Sequence, residues 1–181
     1  MTFAVTDFKS NLKQGGARPS LFIVELYYPA LSLLPAPTTP SRFLVKGASI
    51  PASTIGTYDV YFQGKAVKVA GDRTFDTWEC TIINDEDFGA RNQMMEWMRY
   101  LSGQLDGLRD SIYGDPSKGT GTWYDGSGSV QQVSTGGSVV GPKYSFSNLW
   151  PTELGEIAVD WSSDAIQEYT IGFAYDHWTS S

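Results

Sequence analysis

Phe75-Asp76-Thr77-Trp78-Glu79-Cys80-Thr81-Ile82-Ile83 alternates between two faces. Trp78, Cys80 and Ile82 fall on one side of an extended chain, with Thr77, Glu79 and Thr81 on the other. Period two in a run rich in isoleucine, threonine and tryptophan is the mark of a half-buried strand. The neighbouring segments repeat the pattern. Residues 21–28 (LFIVELYY) are β-branched and aromatic and end at Pro29, and residues 42–50 form a second run closed by Pro51. Residues 143–150 read as a strand stopped by Pro151, and residues 156–161 set Ile157, Val159 and Trp161 against Glu156, Ala158 and Asp160. Residues 166–178 read as the last strand, with Tyr169, Ile171, Phe173 and Tyr175 on one face.

Residues 52–70 read as a long hairpin. Ile55, Thr57, Asp59 and Tyr61 alternate with Tyr58, Val60 and Phe62, and Gln63-Gly64 supplies a turn. An eight-residue arm reaches ~26 Å at ~3.3 Å per residue. Its aromatic content predicts that it lies on its own domain or on a neighbour.

One segment has helical spacing. Phe88, Met94, Met95, Met98, Leu101 and Leu105 recur at intervals of three, four and seven, which predicts a helix over about 86–106. Asp85, Glu86 and Asp87 suit its positive N-terminal end. The first 20 residues predict a short helix or arm and then a loop, since Gly15-Gly16 and Pro19 stop anything longer. Prolines 29, 35, 37 and 40 mark a second loop. Between residues 117 and 141, fifteen of twenty-five residues are Gly, Ser or Thr. Such a composition supplies little to a core, so a surface excursion is expected at about 110–141. The fold class that follows is mainly β: an antiparallel β-barrel or sandwich of about seven strands with one flanking α-helix. One domain over residues 1–181 fits the length, at ~150 residues per domain.

Composition removes several functions. The chain has one cysteine, Cys80, and one histidine, His177, so neither an internal disulfide nor a Cys/His zinc site can form. No apolar run approaches the ~20 residues of a membrane helix, so no membrane insertion is expected. The first residues lack the basic start and apolar stretch of a signal peptide, and the expectation is a cytoplasmic chain. The net charge is −7, split as +4 over residues 1–70 and −11 over residues 71–181. An acidic chain is a poor holder of a phosphate backbone. A dipolar chain suits head-to-tail self-association.

The P-loop, nucleophile-elbow and dinucleotide-binding motifs are missing. Cys80 reads as a small core residue and His177 as a structural one. Asp85, Glu86 and Asp87 lack the spacing of a calcium loop. Six tryptophans and ten tyrosines allow a carbohydrate platform, although most fall at period two on strands, where packing explains them. Trp123-Tyr124, inside the Gly/Ser segment, is a candidate contact pair. No cofactor, metal or catalytic residue is expected.

Three segments carry a resemblance. They are Ala17-Arg18-Pro19-Ser20-Leu21-Phe22; Val69-Ala70-Gly71-Asp72-Arg73-Thr74-Phe75-Asp76-Thr77-Trp78, running on to Asn84-Asp85 and Ala90-Arg91; and Leu149-Trp150-Pro151-Thr152 through Gly155-Glu156 to Asp160-Trp161. In order and approximate spacing, from about residue 17 to residue 178, the chain resembles the tail tube proteins of T4-like contractile-tailed bacteriophages. It departs from them in the Pro-rich loop at 29–40 and the Gly/Ser segment at 107–141. The resemblance implies a structural protein whose six copies form a ring with joined sheets. Such rings stack into a tube inside a contractile sheath, bounded by a baseplate and a tail terminator. Double-stranded DNA passes through the bore without specific binding, and assembly takes place in the host cytoplasm. Six copies of a chain of charge −7 carry −42, which suits a conduit that does not hold DNA.

On this reading Phe75, Trp78, Trp150, Pro151 and Trp161 belong to the motif core. Tyr58, Asp59, Tyr61, Phe62, Asp72 and Arg73 are candidates for a ring or stacking interface. Asp72 and Arg73 have a local alternative, an ion pair or cap beside a turn, and Trp150 an alternative as the packing end of a strand. Two other functions stand beside the tail tube: the inner tube of a phage-derived contractile injection or secretion system, and a carbohydrate-binding β-domain.

Overall fold

The computed structural model describes residues 5–11, 16–27, 44–102 and 126–181. The elements in chain order are α1 (Val5–Asn11), β1 (Phe22–Tyr27), β2 (Val45–Ala48), β3 (Thr54–Phe62), β4 (Lys65–Thr74), β5 (Trp78–Ile83), α2 (Gly89–Leu101), β6 (Gly126–Val133), β7 (Val139–Leu154), β8 (Glu168–Ala174) and β9 (His177–Ser180). Every strand pair is antiparallel. Seven strands form one sheet in the order β1-β6-β7-β8-β5-β2, with β9 also on β7, while among the described residues β3 and β4 pair only with each other.

The 16-residue β7 is the spine. It pairs with β6 through residues 139–149, with β9 through 144–147 and with β8 through 150–154. β8 and β9 are the two pieces of the expected strand at 166–178. The break falls at Tyr175 and Asp176, opposite Asn148, which takes a left-handed φ of 55°. Asn148 donates from its side-chain amide to the Asp176 carboxylate, and the Asp176 N–H reaches the Ser147 carbonyl at 3.2 Å. Pro151 does not stop β7. It lies inside the strand, buried opposite Phe173, and the register shifts between Pro151 and Glu153. A bulge absorbs the hydrogen bond that proline cannot donate.

The sheet curls over its own core. β5 and β6 are separated along it by β7 and β8. Yet a Cβ added at Gly128 on β6 would stand 3.2 Å from the Trp78 ring of β5 and 3.3 Å from Leu26 of β1. The Trp78 ring stacks on Phe146 with centroids 4.2 Å apart and tilts against Phe173 at 5.8 Å. Around it lie Val24, Cys80, Ile82, Val130, Leu149, Tyr169 and Ile171, all buried. Each large apolar side chain removed from water in this way contributes roughly 1.5–3 kcal/mol.

The Gly/Ser-rich segment is therefore not an excursion where it is described. Residues 126–133 form β6, a strand between β1 and β7, and residues 139–141 open β7. The remainder, 110–125, lies outside the described residues, as do Trp123, Tyr124 and the Pro-rich loop at 29–40. Composition misleads here because the small residues leave room for others. A Cβ at Gly126 would lie 2.2 Å from the Leu149 carbonyl oxygen and 2.4 Å from the Trp97 ring. Glycine lets α2 and β5 lay tryptophans directly on the β6 backbone.

α2 begins at Gly89, preceded by Phe88 in the left-handed region. Asp85, Glu86 and Asp87 sit before it in a turn, where the Asp85 carboxylate accepts the Glu86 N–H at 2.9 Å. The buried face is Met94 and Trp97, with Met98 and Leu101 half-buried and Met95 exposed. Trp97 belongs to the helical stripe and completes it.

Residues 156–161 form no strand. Asp160 accepts the Ser162 N–H at 2.9 Å and the Ser162 hydroxyl at 2.8 Å, which makes a turn. Trp161 rides on that turn, fully exposed, and is not a core residue.

Two outcomes are expected. Gly126→Ala and Gly128→Ala should each destabilise by about 1–3 kcal/mol, Gly126→Ala more, because its new methyl meets backbone as well as a ring. Urea denaturation checks this, and an unchanged midpoint would mean the tryptophans have room to move. Tyr169 is the second case. Burial pushes its phenol up to about 12, against the opposing pull of Arg91. Above its ordinary value near 10 the unfolded chain ionises while the folded chain keeps its proton, so stability falls as pH rises from 10 towards 12. Its hydroxyl also has no partner among the described residues. Tyr169→Phe should flatten that alkaline decline without loss at neutral pH, as measured by melting temperature against pH.

Candidate assembly surfaces

The hairpin turn is Gln63 and Gly64, with φ of 47° and 79°. Two consecutive positive φ values make a tight turn whose twist matches the strands, and glycine supplies one of them freely. That turn fixes the register: Tyr58 opposes Val69, Val60 opposes Val67, and Phe62 opposes Lys65. These residues share one face, apolar except for Lys65 at its end. The other face carries Thr57 with Ala70, Asp59 with Lys68, and Tyr61 with Ala66. The Asp59–Lys68 pair, 3.9 Å apart and exposed, adds little stability.

The candidate interface residues thus divide. Tyr58 and Phe62 lie on the apolar face, and Asp59 and Tyr61 on the polar one. Val60, Val67 and Val69 join the apolar face, and the pairing frame of a two-residue turn is the sequence signal that marks them. Arg73 opposes Ile55 at the base, where the register shifts between Ile55 and Thr57, and Asp72 lies in the same bulge. Both are exposed, and no ion pair joins them among the described residues. Beside them the Tyr58 ring covers Gly71, where a Cβ would stand 2.5 Å away.

Nothing in the described chain covers the apolar face. Phe62 is 68% exposed, Tyr58 60% and Val67 55%. A two-stranded sheet with no other partner is marginal in water. Its base, however, is anchored. The Trp78 indole N–H donates to the Ser49 carbonyl at 2.8 Å, and that of Trp178 to the Ala52 carbonyl at 3.3 Å. Phe75 meets the Tyr175 ring at 5.8 Å, and Tyr175 meets Phe146 edge-on at 4.9 Å. Phe75 and Trp78 therefore tie both limbs of the arm to the core. Trp150 is half-buried against that core beside buried Pro151.

A second exposed surface lies between β7 and β8, where Val159, Trp161 and Ile166 stand in solvent. Its base is held. Arg91 of α2 donates to the Gly155 carbonyl at 2.9 Å, and the Gly155 N–H donates to Thr170 at 2.7 Å. The same Arg91 guanidinium lies 5.0 Å from the Tyr169 ring centroid.

The described ionisable groups are placed structurally. Cys80 is buried and its thiol pushed far up by desolvation, so it is unreactive. His177 is exposed at the start of β9. Lys46 pairs with Glu168 at 2.6 Å and Lys143 with Glu25 at 3.2 Å. No cluster of three or more metal-binding side chains occurs among the described residues. Among the described residues, a hollow of about 340 Å³ beside the start of β1 has Arg18 as the one ionisable residue in its lining, and these residues offer no acid–base pair. Among the described residues no helix is long and apolar enough to cross a membrane.

A curled antiparallel sheet on a tryptophan core, with an uncovered apolar arm anchored to that core, defines a structural building block. Residues 17–181 match the family described as phage tail tube protein, and the chain belongs to that family. It is a structural subunit of a phage tail tube, a virion component of a contractile tail. It is 32% identical over 163 residues to the tail tube protein gp19 of Enterobacteria phage T4, covering 90% of each chain. It is 23% identical over 178 residues to the tail tube protein of Serratia phage KSP90, covering 94% of this chain and 93% of the other. The fold is similar to a chain of the anti-feeding prophage baseplate, with TM-score 0.65, 12% identity, and coverage of 91% of this chain and 95% of that one. It is also similar to a chain of an extracellular contractile injection system sheath–tube complex, with TM-score 0.56, 14% identity and coverage of 99% of each.

If the apolar face is uncovered in the free chain, Val60→Thr with Val67→Thr should leave its unfolding free energy within about 0.5 kcal/mol of the parent. A loss of about 2 kcal/mol or more in urea denaturation would place that face in the chain's own core.

Proposed function

We propose that six copies of this chain close into a ring, and that rings stack into a hollow tube through which double-stranded DNA leaves the virion. The observation that carries this reading is the sheet order. It ends in β1 on one side and β2 on the other, each paired along only one edge among the described residues. Open edges invite association, and pairing one copy's β1 side with the next copy's β2 side removes both. Repeated round a ring, that contact makes one continuous sheet. The acidic chain suits a bore that repels the phosphate backbone and lets it slide.

The tube would sit inside a sheath, start on a baseplate and end at a terminator, after assembly in the host cytoplasm. Fold likeness alone fits the tube of an injection machine equally well. The 32% identity to the T4 protein over 90% of both chains favours the phage tail. The carbohydrate-binding reading finds no tryptophan platform among the described residues. Trp78 and Trp97 are buried, Trp150 and Trp178 half-buried, and Trp161 stands apart on its turn. The chain acts by assembly and not by catalysis.

Negative-stain electron microscopy with mass in solution tests the reading. The purified chain, alone or seeded with purified phage baseplates, should give stacked rings or hollow tubes with six-fold end views. A monomer that fails to extend baseplates would overturn it. Removing Phe62, Gln63 and Gly64 should leave the monomer folded but block stacking, and tubes of unchanged length would count against a role for the arm.

A further inference from the structure

We propose that the turn carrying Trp161 is the seat for the hairpin arm of a second copy, so that copies join head to tail through these two surfaces. The proposal rests on the tube reading and adds the partner surface of the arm.

Topology roots the two surfaces at opposite ends of the β5–β8 ladder. The arm leaves the sheet where β5 begins, at Trp78, which pairs with Phe173. The Trp161 turn enters the sheet where β8 begins, at Glu168, which pairs with Ile83 at the far end of the same ladder. β2 agrees, since Ala48, on the arm side, pairs with Cys80 and Val45 with Ile82. The arm's apolar face is not covered by any described part of its own chain, and the exposed apolar turn at Trp161 joins the sheet at the opposite end of the β5–β8 ladder. Joining them between copies leaves the same two surfaces free at the ends of the pair. A heterologous contact of this kind repeats without closing.

The turn is a built feature. Asp160 holds both the N–H and hydroxyl of Ser162, and the Ser163 N–H reaches the Asp160 carbonyl at 3.3 Å. The two hydrogen bonds from Ser162 hold the Asp160 carboxyl below its ordinary range. Arg91 and Thr170 fix Gly155 at its start, where a Cβ would stand 2.8 Å from the Thr170 carbonyl oxygen. An indole held in solvent on a preorganised turn loses little freedom when covered, and burying it removes roughly 150–250 Å² from water.

The chemistry of the two surfaces is complementary. Residues 155–167 carry Glu156, Asp160 and Asp164 and no base, around exposed Val159, Trp161 and Ile166. The arm presents Tyr58, Val60, Phe62, Val67 and Val69, with Lys65 at the end of that face; Lys68 lies on the opposite face beside Asp59, and Arg73 follows Asp72 at the base, so the arm carries three bases against two acids. Apolar meets apolar, and the ammonium of Lys65, on an arm with a net positive charge, meets an acidic rim.

The test uses the full chain with baseplate-seeded tube growth. Trp161→Ala, Glu156→Lys with Asp164→Lys, and Lys65→Glu with Lys68→Glu should each shorten tubes at least tenfold. All these side chains are exposed, so melting temperatures should stay at the parent value. Combining the two charge reversals in one chain should restore tube length. In parallel, Phe62→Cys chains mixed with Val159→Cys chains should give a disulfide-linked dimer that neither gives alone. Full-length tubes from Trp161→Ala, no rescue by the combined reversal, or no mixed dimer would each overturn the proposal. Failure of the parent chain to form tubes would instead sink the tube reading, and the mixed cross-link alone would then decide the contact.

Discussion

The fold depends on two tryptophan rings lying against a strand with no side chains in their way. Trp78 comes from β5 and Trp97 from α2, and both press on β6, where Gly128 and Gly126 leave only backbone. Without those glycines the sheet could not curl tightly enough for β5 to reach β1 across the core. The stack of Trp78 on Phe146 then sets the separation of the two halves, and β7, which belongs to both, sets their angle. Close packing turns this into a strict requirement, because neither a methyl nor a void is tolerated at such a contact.

The same tryptophan connects the core to the periphery. Trp78 is stacked inside, while its indole N–H holds the Ser49 carbonyl on the limb that leads into the arm. Phe75, three residues earlier, grips the returning limb through Tyr175. Among the described residues the arm is therefore uncovered along its length but fixed at its root. Such a device presents an apolar face to another molecule at a defined angle, with less ordering left to occur on contact.

Much of this was legible in the sequence. Alternation marked β5 and β8, β-branched and aromatic content marked β1, and the Gln63-Gly64 turn marked the hairpin with its partners. The helix was visible in Met94, Met98 and Leu101. Two misreadings share a cause: composition and periodicity report on a residue's own side chain and not on its neighbour's. The glycines and serines of β6 looked like a loop, because what they accommodate, Trp97 and Trp78, is far away in sequence. Ile157, Val159 and Trp161 alternated like a strand. Their segment instead spans the gap between β7 and β8, and Asp160 bends it with its own carboxylate. The interface candidates were found in the right hairpin, but only the register separated Tyr58 and Phe62 from Asp59 and Tyr61.

The placement of the arm and the Trp161 turn has a mechanical consequence. The arm is attached to the first residue of β5, and the turn to the first residue of β8. The two strands are antiparallel, so those attachment points lie at opposite ends of one six-rung ladder, from Trp78 with Phe173 to Ile83 with Glu168. Tension between successive copies would pull the strands past each other along their length, across hydrogen bonds that run perpendicular to the pull. All the rungs then share the load, and none can open ahead of the rest. A column built this way resists stretching as a lap joint does, by shear over its whole overlap and not by peeling from an end.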